Sequence, residues 1–186
     1  MRIVGGIYRG RVLCDFEKIG VRPTSDMARE SLFNIIQFKI NGASFLDLFS
    51  GTGAVGIEAL SRGAKRVVLN DFSRESVKLI KNNLQKLKIS EGADSGVSVS
   101  LSDAISYLQR ASITGGFDFI YIDPPYQSGL VKEVLPYLYD ALTENGVAII
   151  EGEIPFDENC ITDQRLTVYD KRRYGRAHLA FIKRNI

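Results

Sequence analysis

The stretch Asp47-Leu48-Phe49-Ser50-Gly51-Thr52-Gly53-Ala54-Val55-Gly56 decides the fold. It leaves a short apolar run, SFLDLF (44–49), and enters AVGIEALSRG (54–63), where Val55, Ala59 and Leu60 recur at helical spacing before Gly63. The pattern is strand, glycine loop, helix. Glycines in a GxGxxG loop let the backbone turn tightly and let a ligand approach it closely. The next run, RVVLN (66–70), is β-branched and is followed by Asp71, 18 residues after Gly53. An acid at the end of that second strand can accept both hydroxyls of a ribose, so the unit is read as a nucleoside site.

Outward from this core, strands and helices keep alternating. SRESVKLIKNNLQKLK (73–88) opens on Ser73 and Glu75 and keeps Val77, Ile80, Leu84 and Leu87 on one face. VSVSL (97–101) alternates, DAISYLQR (103–110) is helical, and FDFIYI (117–122) is a strand that stops at Pro124-Pro125. LVKEVLPYLYDAL (130–142) predicts a helix kinked at Pro136, and GVAIIEG (146–152) a further strand. This order implies a parallel sheet covered on both faces. RLTVYDKRRYG (165–175) and HLAFIKR (178–184) then predict an antiparallel hairpin about Tyr174-Gly175. Before residue 40 the pattern differs. RIVGG and RGRVL predict a small hairpin about Gly10, and MARESLFNIIQF (27–38) an amphipathic helix with Leu32, Phe33, Ile35 and Ile36. Residues 1–40 are therefore expected as an appendage, and residues 41–186 as the α/β domain.

Composition narrows the function. A chain of 186 residues with 45% hydrophobic and 25% charged residues is an ordinary globular domain, not a disordered one. No apolar run approaches the roughly 18–20 residues of a membrane span, and none near the N-terminus resembles a signal peptide, so a cytoplasmic protein is expected. Cys14 and Cys160 lack metal-like spacing and are expected as free thiols in a reducing compartment. The single histidine, His178, reads as an ordinary strand residue, and no metal site is expected.

Charge is uneven. Residues 1–29 carry six Lys/Arg against three Asp/Glu, residues 30–163 carry 11 against 18, and residues 164–186 carry seven against one. Two basic, arginine-rich ends around an acidic middle predict an anion-binding face. Its candidate RNA contacts are Arg9, Arg11, Arg22, Arg29, Arg172 and Arg173. Arg22, Thr24 and Arg29 are read as packing over the active site or touching RNA phosphate, the alternative being a structural cap of helix 27–38.

The acids select the ligand. A dinucleotide would place a pyrophosphate at the loop, and Asp47 is awkward beside a phosphate. It suits a cationic ligand, so the methyl donor S-adenosylmethionine is favoured over NAD. Asp103, after the third strand, can accept from an adenine amino group while capping helix 103–110. Phe72 can flank the adenine or belong to the core. At the end of the fourth strand stands Asp123-Pro124-Pro125-Tyr126. Two prolines remove two backbone donors and leave their carbonyls as acceptors. Such a loop suits a planar amino group: Asp123 and the Pro124 carbonyl take its two hydrogens and aim its lone pair at a methyl group. Tyr126 can stack on the base that carries it.

RIVGGIYRGRVL (2–13), VRPTSDMARESLFNII (21–36), FLDLFSGTGAVGIEALSRGA (45–64), DPPY (123–126) and RRYG (172–175) together resemble the RsmD-type methyltransferases over essentially the whole chain. The resemblance implies a Rossmann-like class I fold, with a mostly parallel seven-stranded sheet and a C-terminal antiparallel hairpin. It implies methylation of the exocyclic N2 of a guanine in small-subunit (16S) ribosomal RNA, by a monomer acting on that RNA or on the small subunit. On that pattern the cofactor residues are Asp47, Phe49, Gly51, Gly53, Asp71, Phe72, Asp103 and Ala104, and the catalytic residues are Asp123, Pro124, Pro125 and Tyr126. Asp71 stands where the family pattern leads one to expect glutamate. Two other readings compete: an amino-methyltransferase acting on adenine N6 of DNA or on another amine, and a non-catalytic RNA-binding assembly factor that kept the fold.

Overall fold

The computed structural model describes residues 1–15, 26–125 and 128–185. Seven strands form one sheet in the order β3-β2-β1-β4-β5-β7-β6. They are β1 (Ser44–Asp47), β2 (Arg66–Asp71), β3 (Val97–Leu101), β4 (Phe117–Ile122), β5 (Leu142–Gly152), β6 (Leu166–Tyr174) and β7 (Ala177–Arg184). β1 to β5 pair in parallel, whereas β7 pairs antiparallel to both β5 and β6. The expected mostly parallel sheet closed by an antiparallel hairpin is what forms. Strand order reverses between β1 and β4, and ligands of open α/β sheets sit outside the carboxyl ends of strands at such a switch point.

Helices cover both faces. α1 (Asp26–Ile36), α2 (Ala54–Ser61) and α3 (Arg74–Lys86) bury Leu32, Phe33, Ile57, Ile80 and Leu84 against one face. α4 (Ala104–Ile113), α5 (Leu130–Val134) and α6 (Leu138–Ala141) bury Leu108, Val134 and Leu138 against the other. Residues 1–15 lie on the α1–α3 side and share its core through Ile3 and Leu13. Among the described residues no helix is long and apolar enough to cross a membrane. Cys14 and Cys160 are free thiols.

Three details depart from the sequence reading. The expected helix 27–38 ends at Ile36, because Lys39 N–H and Ile40 N–H both bond the Ile36 carbonyl and close it; Ile40 is buried and Phe38 left exposed. The expected kinked helix 130–142 is two helical pieces around a 3-10 turn at Leu135–Tyr137 that contains Pro136, a residue with no N–H to give. The N-terminal hairpin forms, with the Arg2–Val12 bridge and the bonds Ile3 N–H to Arg11 O, Gly10 N–H to Ile3 O and Leu13 N–H to Met1 O, but its turn lies before Gly10 rather than about it. Ile7 N–H and Tyr8 N–H bond the Ser61 carbonyl and hydroxyl there, which anchors the turn to the end of α2.

Candidate active site

Four acids stand at or just beyond the carboxyl ends of four neighbouring strands. In sheet order they are Asp71, Asp47, Asp123 and Glu151 on β2, β1, β4 and β5. The residues two before each, Leu69, Phe45, Tyr121 and Ile149, all belong to the core under α1–α3. Strand alternation therefore gives the four acids one common face. A row of carboxylates calls for a ligand rich in positive charge and hydrogen-bond donors.

The glycine loop holds the first two. Gly51 has φ +53 and no neighbour where a Cβ would stand, so its open side is free for a ligand. Its N–H donates to Asp71 Oδ2 at 2.8 Å, and Ser73 N–H donates to Asp71 Oδ1 at 2.9 Å. Gly56 fills a different need: a Cβ there would lie 2.4 Å from Leu69 Cδ2, so only glycine lets α2 pack this close to β2. Its N–H donates to Asp47 Oδ2 at 2.9 Å. Asp47 is 1% exposed. Burial pushes its carboxyl up to about 7, the Gly56 hydrogen bond opposes this, and the neighbouring Asp71 adds to it. A cation placed beside it would restore the ionised form. The donor set thus fits the ammonium and sulfonium of S-adenosylmethionine and not a phosphate.

The residues expected on the adenine side lie on the loops after β1 and β3. Asp103 caps α4: its Oδ1 accepts Ser106 N–H at 2.9 Å, and that bond holds its carboxyl below the usual range. Asp103 is exposed, so the same carboxylate stays open to a ligand. Ala104 is buried below it, Phe49 is half-buried, and Phe72 is 66% exposed rather than core. Asn70, absent from the candidate residues, ties these loops together. Its buried Nδ2 donates to the carbonyls of Leu48 and Ser102, each at 3.1 Å, fixing the segments that carry Phe49 and Asp103. The signal in the sequence is a polar residue at the end of the apolar run RVVLN.

The acceptor side lies over β4 and β5. Asp123 and Pro124 are half-buried and Pro125 exposed. Tyr126 falls outside the described residues, as do Arg22 and Thr24. Arg29 is the clear correction to the expected RNA contacts. It is 1% exposed, its Nη2 donates to the Arg2 carbonyl and to Asp26 Oδ1, and its Nε lies 3.7 Å from Glu58 Oε2. A guanidinium so enclosed cannot meet a phosphate; it balances Glu58, a carboxylate buried in the middle of apolar α2. Glu58 also accepts Val4 N–H and Arg62 Nε.

Arg2 lies 3.6 Å from Asp26 at the start of α1, which the β6–β7 turn also reaches. Arg9 and Arg11 are exposed, but the turn before Arg9 sits at Ser61, a helix length of about 12 Å from the glycine loop. Arg172 and Arg173 are exposed on β6 near the catalytic end, paired in register with Leu179 and His178 of β7, and His178 in turn faces Gly152 of β5. Arg172 Nε bonds Asp170 at 2.9 Å, an exposed pair that a phosphate can replace.

The family described as Conserved hypothetical protein 95 matches residues 1–183. Ribosomal RNA small subunit methyltransferase D of Haemophilus influenzae is 31% identical over 175 residues, covering 94% of this chain and 89% of its own. The protein of that name from Escherichia coli is 35% identical, over 83% of this chain and 75% of its own. The chain belongs to the RsmD family. Bacillus subtilis contributes a relative called putative rRNA methyltransferase YlbH, 34% identical over 99% of both chains. Among solved structures, a putative methyltransferase from Escherichia coli superposes with TM-score 0.79 at 30% identity, over 100% of this chain and 98% of that one. A putative methyltransferase complexed with SAH shares the fold at TM-score 0.68 and 17% identity, over 83% of this chain and 49% of that one. As an RsmD-family member the chain is a class I, S-adenosylmethionine-dependent methyltransferase.

Proposed function

We propose that the protein methylates the exocyclic N2 of a guanine in small-subunit ribosomal RNA, as a cytoplasmic monomer acting on that RNA or on the assembling subunit. The observation that carries this reading is the Asp123-Pro124-Pro125 corner at the end of β4, beside the strand-order switch, in a chain whose relatives are named for small-subunit rRNA methylation.

S-adenosylmethionine supplies an electrophilic methyl group on a sulfonium, which leaves as a neutral thioether. The chain supplies the rest. Asp71 and the Gly51 side of the loop receive the ribose, and Asp47 answers the cationic end. An exocyclic amine is a poor nucleophile because its lone pair is delocalised into the ring. Asp123 and the Pro124 carbonyl accept its two N–H bonds, return electron density to nitrogen and orient the lone pair. Positioning of this kind converts a bimolecular transfer into a near-attack arrangement. As the new C–N bond forms, one N–H proton leaves the nitrogen through Asp123 to solvent. The base must leave its stack to reach the corner, which is cheapest in a hairpin loop.

Mass spectrometry of ribosomal RNA from a strain lacking the gene tests the reading. The expected result is the loss of one N2-methylguanine from the small-subunit RNA, restored by the wild-type gene. Loss of a methyladenine, or unchanged RNA methylation with a subunit-assembly defect, would replace it with one of the competing readings. Size-exclusion chromatography with light scattering checks the monomer.

A further inference from the structure

Three of the four carboxylates in the row face a reactant. Asp71 and Asp47 serve the methyl donor, and Asp123 serves the amine. Glu151 has no such role. The β4–β5 register ends with Ile122 opposite Ile150, which brings Glu151 level with Asp123 on the adjoining strand, about 4.8 Å away in the hydrogen-bonding direction. Its side chain is 9% exposed, and Tyr121 Oη donates to its Oε2 at 2.6 Å. Burial pushes the carboxyl up, while the Tyr121 hydroxyl and the charge of buried Arg29 pull it back toward ionisation. Among the described residues, Arg29 Nε and Nη1 have no hydrogen-bond partner, so the guanidinium provides charge without binding the carboxylate in a fork. A buried ion pair gains no stability over a packed apolar pair. An acid level with Asp123 on the adjoining strand, its carboxylate held by a tyrosine, is better explained by a part in the site than by stability.

Guanine presents two kinds of donor side by side, the N2 amine and N1–H. Adenine presents a lone pair at N1. A carboxylate beside the amine acceptor therefore attracts the first and repels the second, as acidic side chains accept from base donors elsewhere. We propose that Glu151 is the specificity-determining residue that reads the target base as guanine, its carboxylate accepting N1–H while Asp123 holds the N2 amine. The proposal rests on the guanine-N2 reading above. An N1–H bonded to a carboxylate also feeds electron density into the ring and toward N2, so the contact acts on rate as well as choice.

The test uses the full chain and a small-subunit RNA hairpin carrying the guanine mapped by the experiment above, made with guanine or 2-aminopurine at that nucleotide. Both bases keep the 2-amino group; 2-aminopurine has an unprotonated N1. Both kcat/KM and, without cofactor, Kd are measured for each RNA. The wild type is expected to prefer guanine by about tenfold or more, the scale of one good base contact. Glu151→Gln can turn its amide N–H to N1, so the preference should fall about tenfold in kcat/KM and in Kd. Glu153→Gln, two residues on and exposed, should keep it. Should Glu151→Gln not fold, Tyr121→Phe frees the carboxylate from its anchor and should lower the preference several-fold. Equal slowing on both bases, with the preference intact in the folded variant, would show that Glu151 is only a structural partner of Arg29 and overturn the proposal. The guanine reading fails separately, in the mass spectrometry above; for a wild type that methylates neither hairpin, the same two nucleotides are compared in reconstituted small subunits, where equal kcat/KM and Kd overturn the proposal.

Discussion

The two halves of the site are built by opposite means. On the β1–β2 side, most of the expected cofactor residues come from one continuous segment, residues 47–73, joined by Asp103 and Ala104 after β3, and its acids are locked by backbone donors: Gly51 and Ser73 on Asp71, Gly56 on Asp47. On the β4–β5 side, the groups come from distant parts of the chain. Asp123 and Glu151 lie on neighbouring strands, Arg29 on α1 carries the balancing charge, and the β6–β7 turn reaches the start of α1, where a Cβ on Gly175 would stand 3.5 Å from Met27 Cε. The first half is local and rigid. The second exists only through topology, and it is the half to which we assign the choice of substrate. Substitutions in the two halves should therefore fail in different ways.

The largest effect is expected at the corner itself. Asp123→Ala should slow methyl transfer by roughly 10²–10⁴-fold, the range for losing a group that handles protons and geometry. Calorimetry should show S-adenosylmethionine affinity within twofold of wild type; a matching loss of affinity would erase the distinction between the halves. Arg29→Met comes next and acts through the fold. Glu58 keeps Arg62 and the Val4 N–H, so the loss should stay below the roughly 3–5 kcal/mol of a fully stranded partner, read as a lower urea midpoint. RNA binding per folded molecule should keep its salt dependence, because the side chain never reaches solvent.

Asp71→Ala should weaken S-adenosylmethionine binding about 10–100-fold, from the loss of charge-assisted bonds of roughly 1.5–3 kcal/mol each. RNA affinity should not change. The pH dependence of the same half is smaller and has a definite sign. Asp47 rises from 3.8 to about 7 in the folded protein. Its protonated form is the one folding favours, so its contribution to stability falls as pH climbs from about 4 to about 7 and is flat above. Binding a cation reverses this by holding Asp47 ionised. The rise in Tm caused by S-adenosylmethionine should thus be larger at pH 8 than at pH 5.5, with Asp47→Asn removing the difference. The mildest change is at the rim. Arg172→Ala/Arg173→Ala should lower small-subunit affinity and flatten its log–log salt slope by about 0.7–0.9 for each phosphate no longer neutralised, leaving cofactor affinity untouched. An unaltered slope would make this edge of β6 ordinary solvated surface.

The same contrast separates what is legible in the sequence from what is not. Gly51, Gly53, Asp47 and Asp71 announce themselves because strand, loop, helix and acid are adjacent in sequence, and the strands and the hairpin are visible from periodicity. Asp103 is legible as a cap, which its bond to Ser106 N–H shows, and as a candidate ligand, since the capping carboxylate stays exposed. Arg29 reads wrongly as a surface group because a charged residue on an amphipathic helix is usually solvated; nothing local shows that Glu58, nearly thirty residues on, waits for it. Glu58 itself is a visible oddity, an acid amid AVGIEAL. Glu151 is hidden differently: its meaning depends on β4 and β5 being neighbours in a given register, and no local pattern encodes a register. The division of the N-terminal arginines likewise follows from Ser61 capturing the turn, a contact between segments 53 residues apart.

During synthesis, β7 emerges after β6, yet it is inserted between β5 and β6 rather than added at the rim. Until residues 177–184 leave the ribosome, the long apolar β5 shows a bare row of backbone donors and acceptors, the kind of edge on which nascent chains aggregate. The cofactor half, made of consecutive strand–helix units, can be complete by then. A growing chain therefore passes through a stage in which the strand–helix units around the glycine loop are formed while the β5 edge is still open to any strand that comes near.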